Sequence, residues 1–316
     1  EAWIANVQNG TDTRDNGYKF TIGSVGHETL VTIEDTNYSW TFNTETGTLT
    51  FYNTKTGWNE LSFSNGCKFI SWVADWKNDI KHIVIPTFSK LSISSSSPFA
   101  GLKNLETVKT DTVRWTAQWK SIFSGCLSLT TLGTSSNFEV GKVKFDKIRL
   151  EDINSETLYK NMFKDCVSIT DIDFTGNVMY SDGGKTKITT FVSSNFMSGC
   201  SSLKNINLSG IASIKTESFA DCTSLETVTI PETVTSIAEK AFTGCTSLRS
   251  VNLETETFAE GFITLTSFPD TEGLIIYCVN NEVANAFNAL GYKYTRAVNV
   301  NVKAKGGIKM EGFSIR

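Results

Sequence analysis

The chain has 316 residues with 29 Lys and Arg against 33 Asp and Glu, a net charge of -4. Acids and bases are interspersed, so there is no basic stripe able to neutralise phosphates, and nucleic acid is excluded as an expected partner. No run approaches the roughly 18 apolar residues needed to span a bilayer, and residues 1–10 lack the charged-then-apolar order of a signal peptide. Export, and a lipid anchor upstream of Glu1, stay compatible with this reading.

In chain order, the first pattern is alternation. Tyr18, Phe20 and Ile22, then Val31 and Ile33, then Tyr38, Trp40 and Phe42, then Leu49 and Phe51 predict an antiparallel meander. Residues 1–79 are therefore expected to form a β-rich capping domain. All seven tryptophans fall within the first 119 residues. Trp72 and Trp76 suit the bulky cap that the end of a stack requires. Trp115 and Trp119 are open to two readings, core packing or a platform on which a sugar ring stacks.

From residue 80 to 272 the sequence repeats with a period of about 23. Residues 223–245 read TSLETVTIPETVTSIAEKAFTGC, and residues 201–222 read SSLKNINLSGIASIKTESFADC. Each unit opens on apolar residues at i, i+3 and i+5, such as Leu225, Val228 and Ile230. Each closes on an aromatic or Met three residues before a cysteine: Phe123/Cys126, Phe163/Cys166, Met197/Cys200, Phe219/Cys222 and Phe242/Cys245. One such coil cannot bury its own apolar side, but stacked coils bury a continuous strip. The opening run predicts a short strand with alternate residues inward. Gly or Asp before the cysteine (Gly125, Asp165, Gly199, Asp221, Gly244) suits a tight corner.

This pattern closely resembles the BspA-like leucine-rich-repeat proteins, a bacterial surface family whose repeats read roughly TSLxxVxIPxxVTSIGxxAFxGC. Ala238 stands where that pattern has glycine. Residues 40–86 resemble the segment preceding the family's first repeat, and residues 273–294 resemble its C-terminal cap. The resemblance implies a mostly β, right-handed solenoid of leucine-rich repeats, with an N-terminal meander domain and a C-terminal cap over 273–296.

Successive openings are spaced by 25, 24, 40, 34, 22 and 23 residues. Two units thus carry insertions, near 133–150 and 175–187, expected to loop out of the stack either as a binding face or as surface elaboration. Tyr180 in the second insertion joins Trp115 and Trp119 as a candidate ligand contact. Gly183-Gly184 reads as a turn. Beyond the cap, 297–316 reads as a β-hairpin about Gly306-Gly307.

Cys126, Cys166, Cys200, Cys222 and Cys245 occupy one place in successive repeats, which predicts a structural ladder of buried free thiols acting as small apolar filler. Stacked side chains about 4.8 Å apart do not meet disulfide geometry. Cys67 and Cys278 stay unassigned. No CxxC pair, GxSxG motif or phosphate-binding glycine loop occurs, and His27 and His82 are the only histidines. Neither metal nor cofactor is expected, and no catalytic residue is assigned. The expected protein is a non-enzymatic cell-surface or secreted binding protein whose partner is an extracellular protein or glycan. Carbohydrate capture for nutrient uptake and a ligand-free spacer are the alternatives.

Overall fold

The structure, a computed structural model, describes residues 20–298 apart from 26–27, 35–37, 54–59, 64–75, 87, 89, 94–96, 113, 118–119, 146–148, 152–158, 182–185, 258, 260 and 294. The chain enters as the expected antiparallel meander, β1 (Phe20–Val25), β2 (Glu28–Glu34), β3 (Tyr38–Asn43) and β4 (Thr48–Asn53). Asn43 fixes the last turn: its Oδ1 accepts from the N–H groups of Glu45 and Thr46 at 3.0 Å each, and Gly47 supplies a φ of 67°. After β5 (Glu60–Phe63) leaves for a second side, β6 (His82–Ile85) returns parallel to β4 with Ile83 beside Leu49. Strand pairing therefore runs straight across the boundary expected at residue 79.

The coils continue through β7 (Lys90–Ile93), β8 (Thr107–Thr110), β9 (Arg114–Ala117), β10 (Thr131–Gly133), β11 (Lys142–Lys144), β12 (Arg149–Glu151), β13 (Asp171–Asp173), β14 (Val178–Ser181) and β15 (Thr186–Ile188). The later ones bring β16 (Phe191–Val192), β17 (Asn205–Asn207), β18 (Ser213–Ile214), β19 (Thr227–Ile230), β20 (Ser236–Ile237), β21 (Ser250–Leu253) and β22 (Ile275–Cys278). Helix α1 (Asn281–Ala289) and β23 (Thr295–Ala297) close the described chain. The main sheet has ten strands, β1-β2-β3-β4-β6-β8-β10-β11-β13-β17, and a separate sheet β19-β21-β22-β23 follows it. The second side is the sheet β15-β14-β12-β9-β7-β5, succeeded by β16-β18-β20.

Inward alternation builds the core. Ile83, Val108, Leu132, Val143 and Ile172 pair in register along the main sheet, each buried. The third side is the corner carrying the aromatic-and-cysteine motif. Phe99, Phe123 and Phe163 stack with centroids 5.9 and 5.5 Å apart, and Phe219, Phe242 and Phe268 stack at 5.3 and 5.1 Å. Met197 fills the rung between the two columns.

Each corner turns on two left-handed residues. The Gly or Asp before the cysteine is one, with φ between 59° at Asp221 and 79° at Gly199. The other lies four residues earlier, at Ser121, Asn161, Asn195, Glu217 and Lys240, with φ between 53° and 59°. This geometry points corner N–H groups at the next coil: Phe163 donates to Phe196 O at 2.9 Å and Asp165 to Ser198 O at 2.8 Å. Backbone groups that a bent chain would leave unpaired are thus satisfied between coils.

The insertions depart from expectation. Rather than looping out, the first adds a strand: β11 pairs between β10 and β13 with Val143 beside Leu132 and Ile172. Val143, Phe145 and Leu150 are all buried. β10 and β11 share one corner: β11 leads on through β12 to the corner of Cys166, which sits directly on that of Cys126, with Phe123 N–H donating to Met162 O at 3.0 Å. The main sheet is therefore one strand, about 4.8 Å, longer than the corner column over this stretch. Phe145, Phe163, Phe174 and Phe196 fill the resulting width, with Phe145 and Phe174 stacked at 5.6 Å. In the second insertion β14 continues the second side beside β12, and β15 folds back antiparallel as that sheet's edge. The proposed turn at Gly183-Gly184 lies outside the described residues.

The C-terminal segment closes the stack. Asn280 Oδ1 accepts from Val283 N–H at 2.9 Å as the cap of α1, which buries Val283, Ala284 and Phe287. Tyr292 ends the aromatic column: its hydroxyl accepts from Phe268 N–H at 3.3 Å, where earlier corners meet a carbonyl of the next coil, and donates to Thr264 O at 2.7 Å. The hairpin expected over 297–316 lies outside the described residues but for 297–298.

Candidate functional site

The outer face of the main sheet is interrupted at two neighbouring places. The first is a ridge. Residues 134–141 connect β10 to β11 across the outer face, where Thr131 Oγ1 accepts from Gly141 N–H at 2.9 Å. Every full coil passes on the inner side, so this crossover has the opposite hand, an unusual arrangement that needs local support. Gly133 gives it: a Cβ there would come within 2.8 Å of Asn137 Oδ1, so the ridge lies where only glycine leaves room. Asn137 Oδ1 accepts from Thr134 N–H at 2.7 Å, and Asp111 holds Ser135 through its N–H and hydroxyl, each at 2.7 Å. Val140 at the crest is 82% exposed. Beside it, hydrogen bonds from Lys142 and Lys144 hold the Glu139 carboxylate below its usual range.

The second is a seam between β17 and β19, where the parallel ladder stops. The two coils are joined before it, by Ser224 N–H to Ser201 O at 3.1 Å, and after it, at the start of the second side, by Thr235 N–H to Ala212 O at 2.7 Å. Between these points the facing edges do not pair. Asn205 N–H and Asn207 O bond to the β13 side, and Glu226 O and Ile230 O accept from the β21 side. By the alternation of a parallel ladder, Ile206 on β17 and Thr227 and Thr229 on β19 turn their N–H and C=O groups into the seam. At this point Asn-Ile-Asn stands where β19 has Thr-Val-Thr, asparagine is a poor strand former, and both carboxamides bond to the preceding coil. Asn205 Nδ2 donates to Asp171 Oδ1 at 2.7 Å, Asn207 Nδ2 donates to Thr175 Oγ1 at 3.0 Å, and Asn207 Oδ1 accepts from Ser209 N–H at 3.0 Å.

From Lys142 at the foot of the ridge to Thr227 and Thr229 beyond the seam lies a cleft of about 690 Å³ with a polar floor of Asp171, Asp173, Asn205 and Asn207. Ile206 reaches its base and is only partly buried, whereas its register partner Ile172, and Val228 at the matching position of β19, are 2% exposed. Sequence reasoning missed these floor residues because they are the variable positions of the repeat. The one available signal is the Asn-Ile-Asn triplet in a strand position.

Of the residues singled out from sequence as ligand contacts, the structure describes the side chain of Trp115. Trp115 is 1% exposed, donates its indole N–H to Thr112 O at 2.7 Å and meets Phe145 edge-on at 6.5 Å. It is a core residue, and the sugar-platform reading is withdrawn for it. The side chains of Trp119 and Tyr180 lie outside the described residues, as do Trp72, His27 and Cys67. Trp76 is buried and stacks on Phe42 at 5.1 Å. His82 lies on the outer face, its Nδ1 3.0 Å from Thr107 Oγ1.

The five ladder cysteines are buried free thiols. They are more than filler: each reaches a carbonyl of the preceding coil, Cys126 that of Phe99 at 3.1 Å, Cys166 that of Phe123 at 3.0 Å, and Cys200 that of Phe163 at 3.2 Å. Cys222 and Cys245 do the same to Met197 O and Phe219 O at 3.4 and 3.1 Å. Burial pushes the Cys126 thiol up to about 12 and that of Cys278 to about 11, which leaves both protonated and unreactive at neutral pH. Among the described residues no group of three or more His, Cys, Asp or Glu could hold a metal ion, and no helix is long and apolar enough to cross a membrane.

Coils of this period, with a strand opening and a cysteine corner, define a leucine-rich-repeat solenoid. The sequence pattern of the BspA type leucine-rich repeat region matches in six copies, over residues 30–148, 75–184 and 185–268, and the chain belongs to that family. Similar solved structures include a leucine-rich repeat protein from Bacteroides ovatus, 16% identical over 77% of this chain and 70% of that one, with a TM-score of 0.37. A leucine-rich cell surface protein from Faecalibacterium prausnitzii is 16% identical, covering 88% of this chain and 96% of that one, TM-score 0.25. The pneumococcal vaccine antigen PcpA is 11% identical, covering 88% and 97%, TM-score 0.27. No curated protein matches the chain.

Proposed function

We propose that this chain is a non-catalytic bacterial surface or secreted binding protein that holds an extracellular protein or glycan against the outer face of its main sheet. The observation that carries this reading is the cleft between the ridge and the seam. It is the place where a regular, internally satisfied stack presents both shaped relief and backbone donors and acceptors with no partner in the ladder. Family membership supports the surface setting. Carbohydrate capture on a tryptophan platform loses its main support with Trp115 in the core.

The test is a panel of glycans and extracellular-matrix proteins presented to the intact chain, to Asp173→Lys/Asn207→Lys in the cleft, and to Lys120→Glu at the corner. Binding of at least one ligand, weakened about tenfold or more by the cleft pair and unchanged by Lys120→Glu, is the expected result, a loss near 1.4 kcal/mol. Thermal unfolding of each variant separates lost binding from lost folding. Binding indifferent to the cleft pair, or silence across the panel, would overturn the proposal.

A further inference from the structure

We propose that the seam between β17 and β19 receives one extended strand from a partner polypeptide, which pairs with both facing edges and completes the main sheet. The inference rests on the cleft being the binding face and names the kind of partner it takes.

Three observations converge on it. The facing edges carry main-chain groups in strand spacing: N–H and C=O of Ile206 on one side, of Thr227 and Thr229 on the other. Such groups bind an extended backbone, and pockets between them read alternate side chains. Second, Ile206 is partly buried in a column whose other members, from Ile83 to Ile276, are at most 2% exposed. β17 and β19 still approach within 8 Å of one another, so an added strand would part them and bring a further inward apolar residue beside Ile206. Third, the fold already holds such a strand. β10 and β11 lie side by side in the main sheet and share one corner rung, that of Cys166, so the corner column tolerates an extra strand on this side alone.

A strand between β17 and β19 needs them about 9.6 Å apart, two ladder spacings. The opening has natural pivots in the joined points at Ser201/Ser224 and Ala212/Thr235. β11 also gives the sequence rule: a central β-branched residue pointing inward, as Val143 does, flanked by polar residues pointing out, as Lys142 and Lys144 do. No aromatic is among the described residues that line the cleft, which favours a polypeptide over a stacked sugar.

The probe is a fluorescent octapeptide copying residues 139–146, Glu-Val-Gly-Lys-Val-Lys-Phe-Asp, and the same peptide N-methylated at its central valine. Saturable binding is expected, weakened about tenfold or more by the methyl group that removes one backbone donor and blocks pairing. Amide exchange at Ile206, Thr227 and Thr229 should slow on binding. No binding, binding indifferent to N-methylation, or unchanged exchange at those amides would overturn strand addition. Because the panel experiment reads face binding without the peptide, a positive panel with a negative peptide rejects the strand and keeps the face.

Discussion

At the residue scale, the cysteine ladder shows how a small side chain serves two purposes. Its sulfur fills the corner, and its proton adds a hydrogen bond to a corner carbonyl of the previous coil, as Cys200 does to Phe163 O, which also accepts from Cys166 N–H. A raised folded-state pKa means the native fold favours the neutral thiol, so this stabilisation is complete below the unfolded value near 9.0 and is lost as pH rises toward the folded one. Stability should therefore fall from pH 9 upward, by about 1.4 kcal/mol per pH unit for each of Cys126, Cys166, Cys200, Cys222 and Cys278. Urea unfolding between pH 8 and 10.5 checks this, and Cys126→Ala should flatten the fall by one thiol's share. A stability independent of pH in that window would contradict the burial of the ladder.

The corner glycines give a second residue-scale test. A Cβ at Gly244 would run into Asp221 Oδ1 and one at Gly199 into Asp165 Oδ1, whereas one at Gly101 meets nothing within 4 Å. All three have positive φ. Gly101→Ala should cost only the left-handed penalty, about 1–2 kcal/mol. Gly244→Ala should cost about 1–3 kcal/mol more, by overpacking. Asp221→Gly should return most of that excess in a double-mutant cycle, because the clash is between those two positions. Equal costs at Gly101 and Gly244 would show that the aspartate is not what excludes a side chain.

At the scale of elements, the ridge and β11 explain why a 17-residue excess reads as a loop but folds as half a coil. The alternation Lys142-Val143-Lys144-Phe145 lacks the leucine opening and the cysteine closing by which the other coils are recognised, and so reads only as part of an insertion. Its place in the sheet depends on Gly133 allowing the connection to cross the outer face, a contact between segments that spacing does not encode. Gly133→Ala should lift the ridge. We expect a loss of about 1–3 kcal/mol in urea unfolding and faster amide exchange at Gly141, whose N–H is held by Thr131. Asp111→Ala, which removes both bonds to Ser135, should loosen the ridge without the clash. Unchanged exchange at Gly141 in both variants would remove the ridge as a supported element.

At the scale of the molecule, the period, the inward strand residues and the cysteine column were legible because each is a short-range rule repeated coil after coil. The cap was expected only from the resemblance of residues 273–294 to that of the family, and the role of Tyr292 as a stand-in for the next coil's carbonyl was not legible. The cleft was hidden for the opposite reason. It arises where repetition fails, at Asn205 and Asn207, whose side chains bond to the coil before them. Bulky aromatics were the obvious candidates in the sequence, and burial of Trp115 shows that size alone marks a core residue as readily as a contact.

The claim on which site, function and strand addition all depend is that the main sheet is open between β17 and β19. Residue-resolved amide exchange of the free chain tests it directly. Ile206, Thr227 and Thr229 should exchange much faster than Val108, Thr131 and Val143, which lie in the unbroken ladder of the same sheet. Equal protection at all six would mean that the ladder is continuous and that the cleft is not a site.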